Sequence, residues 1–420
     1  MGKLIRPSKV NGIVSAPSSK SAMIRAVALS LLTDGITTIK NPSYCNDSLS
    51  ALDIACALGA RILEKNTEYI KIAGNQHFSK MPVKDFILNC GESGLCIRMF
   101  SPIVGLLDRE ITLKGEGTLS QRPVNMVEDL KRLGAYCVTN NGFPPVTIKG
   151  PISSGRYKIN GSESSQFLTG LMIALPLCSG DSEIYVFDLK SKPYVKMTLE
   201  MMKIFGVDCS FNETLDRFFI KGDQRYRPAE CILEGDWSGA AFMLVAGAIA
   251  GSITVTGLNI HSRQADRIIL DVLEMAGASI NVEADRITVT KHHLRAFELD
   301  AEDCPDVVPP AVALAAHCKG KTILSGIERL RIKESNRLDA LIKEFSKMGI
   351  KIYMEKERLV IEGGRLKGAV IDPHNDHRIA MSCAVCGLAG EVDIVIENPE
   401  CVAKSYPLFF QHLEQCLEER

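Results

Sequence analysis

Six stretches of this chain are apolar on nearly every side of a helix: residues 21–32, 96–107, 167–177, 240–250, 307–317 and 379–388. Such a helix is stable only where neighbours cover it all round, so the pattern predicts six buried helices. Each is followed by a turn and a β-like run, at 36–40, 111–114, 183–187, 252–256, 322–324 and 392–396. Further on lie segments that confine their charges to one face, such as 266–275 and 337–348, and these predict amphipathic second helices. Gly59, Gly134, Gly206, Gly277 and Gly349 stand where second helices end, and a further β-like run follows each. Glycine suits that place because it enters the left-handed conformation without a Cβ clash.

The spacings between these glycines are 75, 72, 71 and 72 residues. A period of this size marks a repeated supersecondary unit. Six βα-rich copies, three and three, predict an α/β protein of two inside-out domains, each of three repeated units with buried helices surrounded by sheets. A doubly wound sheet would put its helices outside. The dinucleotide fingerprint also fails, because Gly115-Glu-Gly117-Thr-Leu-Ser120 ends in Ser and opens no long helix. A phosphate-binding P-loop fails at Ala315, where the first glycine before Gly320-Lys321-Thr322 belongs.

With 420 residues the chain exceeds what one core covers, which agrees with two domains. Lys and Arg number 49 against 50 Asp and Glu, a balance of −1 that excludes a basic nucleic-acid sleeve. The fourteen cysteines are scattered through apolar runs and read as reduced, buried thiols. No opening apolar run suggests export and no segment approaches a bilayer span, so a cytoplasmic protein without a membrane partner is expected. Cys383 and Cys386 lack a second such pair and read as helix core. His374 and His377 adjoin the cation Arg378, and neither a metal nor an organic cofactor is expected.

Candidate chemistry collects where the buried helices begin. Those positions read Ser18-Ser19-Lys20-Ser21, Glu92-Ser93-Gly94, Ser162-Glu-Ser164-Ser165-Gln166, Asp236-Trp-Ser238, Pro305-Asp306 and Asn375-Asp376-His377-Arg378. Capping explains Ser and Asp there, but not Lys20, Arg25, Arg98, Gln166 or Arg378. Arg25 and Arg98 lie inside apolar helices, where a cation is costly without an anion, supplied either by a neighbouring repeat or by a ligand. Connecting segments add Arg122, Ser191-Lys-Pro-Tyr194, the Arg331-Ile-Lys333-Glu334 stretch with Arg337, and Lys404. Arg binds carboxylate and phosphate through paired hydrogen bonds, and Lys adds a mobile charge. Together they predict a site for small substrates carrying several negative charges.

Pro17-Ser-Ser-Lys20-Ser21-x3-Arg25, Gly161-Ser-Glu-Ser164-Ser165-Gln166, Ser191-Lys-Pro-Tyr194, Glu234-Gly-Asp236, Arg331-Ile-Lys333-Glu334-Ser-Asn-Arg337, Asn375-Asp-His377-Arg378 and Ala403-Lys404-Ser-Tyr-Pro407 occur in that order. In these motifs, from Lys20 to Pro407, the chain resembles the 5-enolpyruvylshikimate-3-phosphate synthase family of enolpyruvyl transferases. The resemblance implies a first domain at 15–228, a second from 1–14 with 229–420, and an active site in the cleft between them. It implies transfer of the enolpyruvyl group of phosphoenolpyruvate to the 5-hydroxyl of 3-phosphoshikimate, by addition and elimination, in the shikimate pathway to chorismate. A monomer is implied.

Carried over by position, Lys20, Ser21, Arg25, Ser164, Ser165, Gln166, Ser191, Tyr194, Asp306 and Lys333 would hold 3-phosphoshikimate. Lys20, Gly94, Arg98, Arg122, Gln166, Arg337, Arg378 and Lys404 would hold phosphoenolpyruvate. Asp306 would be the principal base, Glu334 the acid/base at the methylene carbon, and Lys20 a proton relay. Three departures stand out: Glu92 and Leu95 in Gly91-Glu-Ser-Gly94-Leu95, where the family has an amide and Thr; Arg329, where many relatives have Asn; and Ser18 in place of Gly. The sister transferases acting on UDP-N-acetylglucosamine carry a loop Cys where this chain has Gly117. They remain one alternative, and a non-catalytic anion-binding scaffold is another.

Overall fold

Residues 237–250 run Trp-Ser-Gly-Ala-Ala-Phe-Met-Leu-Val-Ala-Gly-Ala-Ile-Ala, with no charged side chain to keep in water, and all fourteen are buried. In the computed structural model, which describes residues 2–75 and 86–418, the chain divides into two units, Ser18–Leu233 and Met1–Pro17 with Glu234–Arg420. Each has its own apolar core.

The Ser18–Leu233 unit is built on three apolar helices, Lys20–Leu31, Gly94–Val104 and Gln166–Ala174, buried but for their first residues at Lys20, Ser21 and Gln166. The last two pack closely because residue 170 is glycine. A Cβ there would lie 2.4 Å from the Met99 carbonyl oxygen. Three four-stranded sheets surround them, each with one parallel pair followed by antiparallel strands. Burial alternates along these strands, as at Phe143–Lys149, so each sheet turns one face inward and one to solvent. The helices are interior and the sheets exterior, the reverse of a doubly wound fold.

The second unit repeats this plan with the buried helices Trp237–Ala250, Val308–Ala315 and His377–Leu388. Among the described residues, its sixth repeat differs from the others. Its sheet has three strands, Lys3–Ile5, Ile394–Ile396 and Ala369–Ile371, and the N-terminal strand supplies the antiparallel partner. The chain after Leu413 reads Glu-Gln-Cys-Leu-Glu and has no apolar alternation from which to make a hairpin. Cys383 and Cys386 are buried in His377–Leu388, and no helix among the described residues is long and apolar enough to cross a membrane.

The chain crosses between the units twice, and a strand next to each crossing pairs within its own unit. Val10–Ser15, just before the first helix, pairs in parallel with Gly251–Thr256 of the second unit. Glu230–Ile232, just before Trp237–Ala250, pairs in parallel with Ile36–Lys40 of the first. The divisions fall after Pro17 and Leu233. The second helix of repeat two is corrected. Asn125–Leu133 is a 3-10 helix whose buried Val127, Leu130 and Leu133 recur every third residue, matching three residues per turn.

Candidate active site

Four of the six buried helices begin at a side chain that accepts from their free N–H groups: Ser19 from Ala22, Ser93 from Cys96, Asp236 from Gly239 and Asp376 from Arg378. Capping thus fixes where these helices start, and candidate side chains follow within a turn or two of Ser19, Ser93 and Asp376. In the first unit Lys20 Nζ pairs with Asp47 Oδ2 at 2.8 Å. One turn on, the buried Arg25 donates from Nε to Thr198 Oγ1 at 2.9 Å, from Nη1 to the Ser21 carbonyl at 2.8 Å and from Nη2 to the Tyr194 carbonyl at 3.4 Å. Its guanidinium also lies 6.0 Å from the centre of the Tyr194 ring. No carboxylate among the described residues pairs with it, and burial pulls its pKa down to about 10 despite the opposing influence of Tyr194.

A second group forms at Gly94. A Cβ there would lie 2.8 Å from both Arg98 Nη1 and Arg122 Nη2, so the glycine leaves room for two guanidinium ends. Arg98 Nη1 donates to Gln166 Oε1 at 2.9 Å and Nη2 to the Pro123 carbonyl at 2.8 Å, which draws the start of Gln166–Ala174 toward the Arg122-Pro123 turn. Ser164 Oγ accepts from the Gln166 N–H at 3.1 Å, and Ser165 is the adjoining N-cap residue. Ser191, at φ 56°, opens the Lys192–Ile204 helix that carries Tyr194 and Thr198.

The second unit gathers the carboxylates. Asp306 lies in the 3-10 turn Pro305–Val307 ahead of Val308–Ala315. Its Oδ1 is 2.8 Å from Arg337 Nη1 and 3.5 Å from Lys333 Nζ, and its Oδ2 is 3.4 Å from Arg378 Nη2. Burial alone would raise the Asp306 pKa, but Arg378, Lys333 and Arg337 hold it well below the usual carboxylate range. Arg337 is fully buried and also donates to Glu334 and, from Nε at 2.9 Å, to Asp376 Oδ2. Lys404 donates to the Asn375 carbonyl, next to the Asp376 cap. Lys333, beside Asp306, has its pKa lowered to about 8, chiefly by burial.

The sequence-selected residues thus fall into an Arg25–Tyr194 group and a Gly94–Arg98–Arg122–Gln166 group in one unit, and an Asp306–Lys333–Glu334–Arg337–Arg378 group in the other. Asp47, Thr198 and the ion-pairing role of Asp376 were missed. Thr198 follows Tyr194 by four residues, so helical spacing could have found it. Asp47 comes from a helix with no motif of its own. Arg329 donates to the Glu302 carbonyl and adjoins the acidic stretch that precedes Asp306.

Residues 5–413 match the family described as EPSP synthase (3-phosphoshikimate 1-carboxyvinyltransferase). The chain belongs to the EPSP synthase family. A curated 3-phosphoshikimate 1-carboxyvinyltransferase of Clostridium kluyveri is 40% identical over 410 residues, 97% of this chain and 95% of its own length. That of Methanocorpusculum labreanum is 35% identical and covers 99% of this chain and 98% of its own. An EPSP synthase structure from Acinetobacter baumannii superposes with a TM-score of 0.84 at 24% identity, over 99% of this chain and 98% of that one, and shows the shared fold.

Proposed function

We propose that this chain transfers the enolpyruvyl group of phosphoenolpyruvate to the 5-hydroxyl of 3-phosphoshikimate and releases phosphate. Asp306 set among Lys333, Arg337 and Arg378 is the observation that carries the reading. Each substrate bears a phosphate and a carboxylate, the groups that arginine and lysine bind through charge-assisted hydrogen bonds. Arg25, with Ser21, Ser164, Ser165, Gln166, Ser191, Tyr194 and Lys333, takes 3-phosphoshikimate. Arg98, Arg122, Arg337, Arg378 and Lys404, with the space at Gly94, take phosphoenolpyruvate, and Lys20 serves both. We assign both sets of residues to one reaction, in a cytoplasmic monomer.

Asp306 is ionised in the free protein and a weak base, because three cations stabilise its charge. Substrate anions that draw on Lys333 and Arg378 weaken that stabilisation and raise its basicity when the 5-hydroxyl must lose its proton. Glu334, once protonated, gives its proton to the methylene carbon, so that the hydroxyl oxygen adds to the neighbouring carbon as a tetrahedral intermediate. The same carboxylate retrieves a methyl proton as phosphate leaves, and Lys20 relays protons while neutralising phosphate.

The test is phosphate release from phosphoenolpyruvate with either 3-phosphoshikimate or UDP-N-acetylglucosamine. Release only with 3-phosphoshikimate is expected, and Asp306→Ala should lower kcat by about 10² to 10⁴ with an unchanged circular dichroism spectrum. Release only with the UDP-sugar, or with neither acceptor, overturns the reading.

A further inference from the structure

Residues 89–92, just before the Gly94–Val104 helix, are bound along their length to 114–118. The Cys90 N–H donates to the Lys114 carbonyl at 2.9 Å, the Glu116 N–H to the Gly91 carbonyl at 2.7 Å, and Asn89 Nδ2 to Glu116 Oε1 at 2.8 Å. Glu92 makes the last link. Its Oε2 accepts from the Thr118 N–H at 2.7 Å and from Thr118 Oγ1 at 2.8 Å. Bonds to a carboxylate are shorter and stronger than bonds to a neutral amide oxygen, so an acid at residue 92 holds this turn more firmly than an amide would.

What the turn carries gives that link its consequence. Thr118 lies in the 3-10 helix Gly117–Gln121, anchored by the buried Leu119, and the Arg122 N–H donates to the Leu119 carbonyl at 3.1 Å. Arg122 then reaches the space at Gly94, two residues beyond Glu92. One carboxylate therefore ties the helix start that bears Gly94 to the turn that bears Arg122. It also dictates residue 117. A Cβ at Gly117, where φ is +49°, would lie 2.5 Å from Glu92 Cδ. A side-chain nucleophile at 117 is incompatible with the link, and the turn serves to deliver Arg122.

The geometry points to Glu92 as a positioning residue that sets the Arg98–Arg122 pair for phosphoenolpyruvate, an assignment that rests on the function proposed above. Its test pairs steady-state kinetics with hydrogen exchange of the full chain, for Glu92→Ala, Glu92→Gln, Thr118→Val and Thr118→Ser. Glu92→Ala should raise the KM for phosphoenolpyruvate by roughly 10-fold or more, since small misplacement of a binding group is costly. Glu92→Gln should fall between Ala and wild type, and Thr118→Val should show a smaller rise that Thr118→Ser, which keeps the hydroxyl, does not. The KM for 3-phosphoshikimate should stay unchanged, while exchange in 115–122 rises in Glu92→Ala. Equal rises in both KM values would mean general damage and overturn the assignment, as would unchanged exchange in 115–122. A wild-type protein that releases no phosphate removes the role toward phosphoenolpyruvate, whereas altered exchange would still show that Glu92 holds the turn.

Discussion

Arg25 and Arg337 are both buried cations, yet their surroundings push them in opposite directions. Arg25 has only a hydroxyl, two carbonyls and a ring, and burial lowers its pKa to about 10. Burial acts on Arg337 too, but Asp376, Glu334 and Asp306 outweigh it and raise the pKa above the ordinary arginine value. The first is a cation held by neutral groups, and the second is a hub that arranges carboxylates. Lys333 lies between these cases. Burial lowers its pKa most, Asp306 raises it, Arg337 and Arg329 lower it again, and it rests at about 8. Its charge is present below that pH and lost above it, so kcat/KM for 3-phosphoshikimate should fall as pH rises through about 8. Lys333→Arg should move that alkaline limb to higher pH, and a pH–rate profile of the two proteins checks it. The sequence disclosed that Arg25 needed a partner. It disclosed neither that partner nor the one that Arg337 has, because Arg25 and Thr198, or Arg337 and Asp376, are far apart along the chain.

At the scale of elements, Asp376 joins two functions. It caps His377–Leu388 by accepting from the Arg378 N–H at 2.9 Å, and it is the fully buried ion partner of Arg337. A helix cap contributes about 1 kcal/mol, whereas removing one partner of a buried ion pair costs about 3–5 kcal/mol. Asp376→Ala should therefore lower the urea midpoint far more than Ser93→Ala, which removes a cap alone. Asp376→Asn should lie between them, because it keeps an acceptor and loses the charge. The six buried helices were legible because an all-round apolar stretch has one stable setting, and the glycines that end second helices were legible through their left-handed geometry, φ 92° at Gly134 and 86° at Gly277. The 3-10 form of Asn125–Leu133 was present in its third-residue spacing but resembles an amphipathic α-helix over so short a run.

Over the whole molecule, the chain's two crossings make sequence neighbours belong to different units. Val14→Asp, in the strand paired with Gly251–Thr256, should raise hydrogen exchange at 251–256 and leave the nearby 36–40 strand protected. Cys231→Asp, in the strand paired with Ile36–Lys40, should do the reverse. Hydrogen exchange followed by mass spectrometry distinguishes the two. By itself the sequence determined the repeat, the buried helices, the inside-out plan, the cationic residues and the family resemblance, because these depend on side chains within a few turns of one another or on motif order. Only the tertiary structure decided the partners of the strands at the two crossings, the three-stranded sixth sheet, the neutral surroundings of Arg25 and the Glu92 link to Thr118. Those depend on hydrogen bonds between residues tens to hundreds of positions apart, and local patterning of hydrophobic and polar residues does not specify which distant partner will meet them.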